Sequence, residues 1–99
     1  MDELKMKFKA DMVDIYKKAV AIGYRPSRFL EMISTNEDIV NVAHRLIAKE
    51  TDGFTRLYEL HSLNLSVEYY ILKDEYHDLF TDEDRKICIN RLHEYGYIN

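Results

Sequence analysis

The chain is poor in the residues that build tight turns and covalent cross-links. Its 99 residues include one cysteine, one proline, three glycines and no tryptophan. The single cysteine, Cys88, cannot form an intramolecular disulfide, which excludes the disulfide-stabilised scaffolds of small secreted proteins. So few glycines and prolines also disfavour an all-β sandwich or barrel, because those folds need many tight turns.

Long apolar runs are also missing. No run approaches the ~18 consecutive apolar residues of a membrane span. Residues 1–9 alternate charged and apolar side chains, unlike the apolar region of a signal peptide. We therefore expect a cytoplasmic protein with no membrane association. Hydrophobic residues make up 46% of the chain, enough for one modest core at this length.

Motifs for catalysis or metal binding are equally scarce. The sequence has no P-loop, no glycine-rich dinucleotide motif and no nucleophile elbow. Its four histidines form no HxxxH pair and no Cys–His cluster with zinc-finger spacing. Cys88 lies between two isoleucines, which indicates a small buried hydrophobe with a raised pKa rather than a nucleophile. We expect a protein that is not an enzyme and needs no metal or cofactor.

Apolar residues at helical spacing are what the sequence does contain. Phe8, Met12, Ile15 and Ala19 recur at steps of three and four, which predicts a first helix from about Asp2 to Ile22, ended by Gly23. Further helices are predicted over residues 26–33, 39–49, 54–62, 66–71 and 81–95, with a turn or short helix over 75–80. The segment 66–71 also suits a strand, but no partner strand is evident. The prediction is an all-α, compact single domain, 1–99, of five to six helices with long N-terminal and C-terminal helices.

Short polar motifs predict where three of these helices begin. Thr35 and Asp38 have capping-box spacing, with Asn36 as an alternative cap. Ser66 can cap the next helix, and Thr81 with Asp84 has capping-box spacing at the last one.

Negative charge and tyrosine concentrate in the second half of the chain. Residues 1–50 carry nine Lys/Arg and eight Asp/Glu, whereas residues 51–99 carry five and ten, together with six of the eight tyrosines. Aromatic side chains dominate interaction hot spots, so an acidic, tyrosine-rich face indicates protein binding. The alternative is that these tyrosines form the edge of a small core. The candidate partner-binding residues are Tyr69, Asp74, Glu75, Tyr76 and Asp78.

A second hypothesis uses the basic residues of the first half. Arg25, Arg28, Arg45 and Lys49 could gather beside the second and third helices and form a nucleic-acid-binding accessory module. Glu37 and Asp38 oppose this hypothesis, since acids at the start of a major-groove helix would face phosphates.

Four segments carry a resemblance to a known family: YRPSRFLEMI, VAHRLI, DGFTRLYELHSLNLSVEYYIL and LFTDEDRKICINRLHEYGY. Through these segments, most of the chain resembles a family of small bacterial and phage-borne helical domains without an assigned activity. The family pattern reads Gly-Arg-Leu-Asp-Leu-Ser/Thr-Val-Glu where this chain has His61, Ser62 and Asn64 in place of Gly, Arg and Asp. If that Arg and Asp carry an activity, this chain has lost it.

The resemblance implies structural roles and a biological setting, but no catalytic residues. Its polar motif positions, such as Glu68 and Arg91, imply caps and buried hydrogen bonds. Burial of either residue would require a partner, and each is a candidate for the other. The setting implied is a mobile element or a host-defence neighbourhood. Our hypothesis is a non-enzymatic protein-interaction domain, in its sharper form a phage or mobile-element factor that binds or inhibits a host defence protein. A homodimer through apolar surface of the first helix stays open.

Overall fold

Helices form all the regular secondary structure that the computed structural model describes, over residues 3–35, 37–48 and 52–98. No β-strand occurs in those residues, which confirms the all-helical prediction. The α-helices are α1 (Glu3–Ala21), α2 (Ser27–Ile33), α3 (Ile39–Ile47), α4 (Asp52–Glu59), α5 (Val67–Ile71) and α6 (Asp82–Glu94). Two 3₁₀ segments precede the last two helices, Leu63–Leu65 before α5 and Asp74–Leu79 before α6.

Helix number and length differ somewhat from the prediction. The described residues form six α-helices and two 3₁₀ segments, whereas five to six helices were predicted. The N-terminal helix α1 is long, with 19 residues, but α6 has only 13 and is shorter than predicted. The residues 74–79 form a 3₁₀ helix, one of the two alternatives for this stretch.

Two of the three predicted caps are confirmed. The Ser66 hydroxyl accepts a hydrogen bond from the Tyr69 amide at 3.1 Å, so α5 starts as a helix rather than a strand. At α6 the Asp84 amide donates to Thr81 Oγ1 at 3.0 Å, and the Thr81 amide donates to Asp84 Oδ2 at 3.3 Å. This reciprocal pair is the predicted capping box.

The predicted capping box at α3 is wrong. Asp38 is itself the N-cap, and its Oδ1 accepts a hydrogen bond from the Val40 amide at 2.8 Å. Asp38 has extended backbone dihedrals directly before the first helical residue, which is the geometry that a capping side chain requires. The Thr35 hydroxyl instead accepts from the Glu37 amide within the preceding turn. The alternative cap, Asn36, lies outside the described residues.

The core forms around α1, which packs against α2, α3 and the second 3₁₀ segment, while α5 packs against α6. Phe8 is fully buried near the middle of this core, with its ring 4.9 Å from Tyr76 and 5.2 Å from Phe80, both edge to face. Such aromatic pairs add about 1 kcal/mol beyond the burial of their area. One continuous cluster of buried side chains draws on every α-helix.

Left-handed backbone conformations end three of the helical segments. Gly23 follows α1 with φ of 93° and Gly96 follows α6 with φ of 75°. Glycine commonly adopts such a positive φ at the C-terminus of a helix. His61 follows α4 with φ of 57° and is the one non-glycine residue in this region among those described. A side chain in this conformation costs about 1 kcal/mol.

Candidate binding groove

An open groove of about 740 Å³ lies between α1, α2 and the region from the end of α3 to α5. Its volume falls within the range of ~300–1,000 Å³ typical of ligand pockets. The floor is largely apolar and includes Ile15, Ala19, Phe29, Met32, Leu46, Phe54, Leu57, Leu65 and Val67. Pro26 and Gly53 also line the groove, together with these polar and charged side chains: Tyr16, Tyr24, Arg25, Ser27, Arg28, Glu31, Arg45, Ser66 and Glu68.

The groove arises from the way the chain turns after α1. Gly23 ends the helix, the Tyr24 amide donates to the Ala19 carbonyl at 2.9 Å, and Pro26 precedes the first residue of α2. Because α2 has only seven residues, it covers only part of the α1 surface. Phe29 and Met32 on α2 are therefore only half-buried, and both line the groove.

Three of the four arginine and lysine residues predicted as a basic patch line this one groove. Arg25, Arg28 and Arg45 are all exposed and contribute to its rim. Arg45 forms an ion pair with Glu37, whereas Arg25 and Arg28 pair with no carboxylate in the part of the chain that the structure describes. The fourth residue, Lys49, lies outside the described residues.

A buried ion pair lies beside the groove. Arg91 Nη1 on α6 lies 2.8 Å from Glu68 Oε2 on α5, and the two side chains are 11% and 6% exposed. This contact confirms that each residue is the partner of the other. Glu68 also lines the groove, and Arg91 balances its charge there. Removing ions from water costs several kcal/mol, and the close contact offsets part of that cost.

The structure contradicts the placement of Tyr76 on a partner-binding surface. Its side chain is fully buried against Phe8, and its hydroxyl donates a hydrogen bond to Asp11 on α1. Burial and the neighbouring Asp11 carboxylate both raise the pKa of Tyr76. This tyrosine follows the alternative interpretation, in which the hydroxyl lies at the core edge and the ring lies inside.

The other residues of the predicted acidic face are accessible, but cations compensate part of the face. Asp74, Glu75 and Asp78 are exposed in the second 3₁₀ segment, and Tyr69 is half-buried. Lys7 forms an ion pair with Glu75, which lowers the pKa of that carboxyl. The Lys73 ammonium lies 5.9 Å from the centre of the Tyr69 ring. The face is therefore less acidic than its sequence indicates.

Nucleophiles and histidines do not gather into a reactive site in the described residues. Cys88 is fully buried, and this burial together with the Glu68 carboxylate raises the pKa of its thiol to about 12, as predicted for an inert cysteine. His44 Nδ1 lies 2.9 Å from Asp84 Oδ1, the carboxylate that already serves in the capping box. No described group of three or more His, Cys, Asp or Glu side chains could hold a metal ion.

His61, Ser62 and Asn64, where the sequence differs from the pattern that it resembles, are not part of the groove lining. His61 is exposed in its left-handed conformation, where a glycine would carry no side-chain strain. The Ser62 hydroxyl donates to the Leu60 carbonyl at 3.1 Å, and Asn64 is exposed in the first 3₁₀ segment.

Sequence reasoning found the groove's arginines but missed its apolar floor. The floor draws on side chains from α1 to α5 and from the first 3₁₀ segment, and helical periodicity assigns these side chains to the core. One signal was available: the segment from Tyr24 to Met32 places two aromatic rings and two arginines around a single proline.

None of the described helices is long and apolar enough to span a membrane. The chain matches no protein-family model, no curated protein and no solved structure. The groove and its charges are therefore the basis for a functional proposal.

Proposed function

We propose that this chain is a non-enzymatic protein-interaction domain whose groove receives a segment of the partner. The observation that carries this proposal is the open groove of about 740 Å³, with an apolar floor and an arginine rim. Aromatic and arginine side chains are the residue types enriched in interaction hot spots. Here they occur together, since Tyr24, Phe29 and Phe54 line the same groove as Arg25 and Arg28.

The groove supports a binding role better than the acidic face does. Binding energy concentrates where anchoring side chains enter a pocket and exclude water. The groove offers such a pocket, whereas Asp74 and Asp78 are exposed on a short 3₁₀ segment and Glu75 is already paired with Lys7. Exposed charges of that kind influence association rates more than affinity. We therefore propose the groove as the primary partner site and assign the acidic face a secondary role in binding.

The sharper form of the hypothesis concerns the partner's identity. If the resemblance to phage-borne domains reflects common ancestry, the partner is a host defence protein that the chain binds or inhibits. The support is the resemblance alone, so host lysate is the appropriate source from which to recover a partner.

Blocking the groove mouth tests the proposal. Ser27 is exposed and lines the groove, so Ser27→Trp obstructs it without changing the core. Asn90→Trp places the same bulk on an exposed position of α6 outside the lining and serves as the matched control. Each tagged protein is incubated with nuclease-treated host lysate, and retained proteins are identified by mass spectrometry.

We expect the wild type and N90W to retain the same protein and S27W to lose it. Retention by S27W at the wild-type level would show that the groove is not the site. A fourth bait, D74K/D78K, then identifies the acidic face if that variant alone loses the partner. Circular dichroism confirms that each bait is folded.

A nucleic-acid-binding function is the second candidate, and one observation favours it. Arg25, Arg28 and Arg45 converge on the same groove, which also presents the rings of Tyr24 and Phe29. Cationic grooves with stacking aromatics bind single-stranded nucleic acid. The net charge of −4 opposes it, because phosphates are repelled by the rest of the chain. Retention that disappears after nuclease treatment and weakens steeply with salt would favour this candidate over a protein partner.

A further inference from the structure

We infer that the partner segment is acidic and amphipathic, with bulky apolar side chains on the groove floor and carboxylates at Arg25 and Arg28. This inference deepens the proposed function and rests on it. It concerns only the chemistry of the occupant and can fail while the groove remains a protein-binding site.

The floor selects for apolar anchors. Its buried members include Ile15, Ala19, Phe54 and Leu57, and the half-buried Phe29 and Met32 lie beside them. Methionine and aromatic side chains adapt to bulky apolar groups from a partner. A helix that lays one apolar face into such a groove gains most of its affinity from two or three of these anchors.

The rim selects for negative charge. Among the described residues, five charged ones line the groove: Arg25, Arg28, Glu31, Arg45 and Glu68. Two of them already have partners, since Glu68 pairs with the buried Arg91 and Arg45 pairs with Glu37. Of the other three, Arg25 and Arg28 are cationic and Glu31 is anionic, so the described part of the rim retains a positive excess.

The surrounding surface reinforces this selection. The chain as a whole has a net charge of −4, so an acidic segment is repelled by most of the surface and attracted at the groove rim. Charge complementarity of this kind sets the orientation of a partner and excludes wrong registers. Arginine also suits carboxylates geometrically, because its planar guanidinium binds both oxygens at once.

Three labelled peptides with the same apolar pattern test the inference. Their polar positions carry glutamate, glutamine or lysine, and fluorescence anisotropy measures binding to the full chain. We expect the glutamate peptide to bind most tightly. The charge reversal R25E/R28E should weaken this peptide by about tenfold, the combined effect of two exposed ion pairs, and should favour the lysine peptide instead.

The matched control is K17E/K86E, which makes the same change in net charge. Lys17 and Lys86 are exposed, lie outside the groove lining and form no ion pair within the described residues. We expect this variant to keep the preference for glutamate, with a change well below tenfold. Equal loss in both double variants would overturn the inference, because it would show only the effect of net charge.

Further outcomes separate this inference from the proposed function. If the glutamine and glutamate peptides bind equally well, the inference of an acidic partner is overturned. If S27W then fails to bind either peptide, the groove still stands as a protein-binding site. Failure of all three peptides, with capture of a lysate protein that S27W abolishes, also overturns the acidic segment and leaves the function intact. A third outcome is that the wild-type chain binds a single-stranded oligothymidylate but not the glutamate peptide, and that R25E/R28E abolishes this binding. That outcome overturns both the inference and the proposed function.

Discussion

At the scale of single residues, the Glu68–Arg91 pair is the most consequential polar contact of the interior. Both side chains are nearly inaccessible, and the pair joins α5 to α6. A buried charge that loses its partner remains desolvated, which costs far more than the loss of a surface contact.

We expect Arg91→Met to lower the free energy of unfolding by about 3 kcal/mol, the usual cost of breaking a buried pair. The double variant E68Q/R91M should be more stable than R91M alone, because it also removes the buried carboxylate that has lost its contact with Arg91. The control is Arg56→Met at the exposed Arg56–Glu59 pair, with an expected cost below ~1 kcal/mol. Urea denaturation measures all three, and equal losses for Arg91→Met and Arg56→Met would refute the argument.

Cys88 makes a prediction about pH. Its thiol pKa is about 12 in the folded chain, against an ordinary value of 9.0. Above pH 9.0 the unfolded chain releases this proton and the folded chain retains it, so the stabilisation present below pH 9.0 is lost as the pH rises. We expect the difference in unfolding free energy between the wild type and Cys88→Ala to fall by about 1.4 kcal/mol per pH unit above that point. A difference that stays constant with pH would contradict the buried, protonated thiol.

At the scale of elements, the capping residues determine where helices of this fold begin. Thr81 and Asp84 satisfy each other's backbone amides at the start of α6, and the first turn also carries Asp82 and Glu83. Negative charge near a helix N-terminus is stabilising because it opposes the positive end of the helix dipole.

Thr81→Ala should destabilise the chain by about 1 kcal/mol, since it leaves an amide of α6 without its acceptor. Thr81→Ser retains the hydroxyl and should recover most of that loss. Thermal unfolding followed by circular dichroism measures both variants. If serine and alanine are equally destabilising, the hydroxyl is not the stabilising group.

Caps and apolar periodicity made most of the helices predictable because both are local. Ser66 and Thr81 could be assigned as caps from a few neighbouring residues, and so could the apolar face of α1. The choice at α3 failed because Thr35 and Asp38 both offer a capping oxygen. Which of them caps depends on the backbone dihedrals of the preceding turn, and those depend on tertiary packing.

Tyr76 shows the same limit for the candidate site. Its neighbours Asp74, Glu75 and Asp78 are exposed, so local composition indicates a surface position. Burial is decided by Phe8 and Asp11, which are far away in sequence on α1. The pairing of Glu68 with Arg91 was predictable, in contrast, because the resemblance marks both as polar motif positions and a buried charge needs a partner.

At the scale of the whole molecule, the groove could not be predicted from any one segment. Its lining comes from residues between Ile15 and Glu68, and the short α2 leaves it open. Only the positive rim had a sequence signal, in Arg25, Arg28 and Arg45. The apolar floor looks like ordinary core in each helix taken separately.

The most direct test of the central claim is amide chemical-shift mapping with a peptide selected from a fully randomised library against the wild-type chain. Such a peptide carries no assumption about charge. We predict that the largest shift changes fall in residues 24–32 and 65–67, around the groove. Changes concentrated in residues 73–78, with the groove unaffected, would contradict the account and place binding on the acidic face.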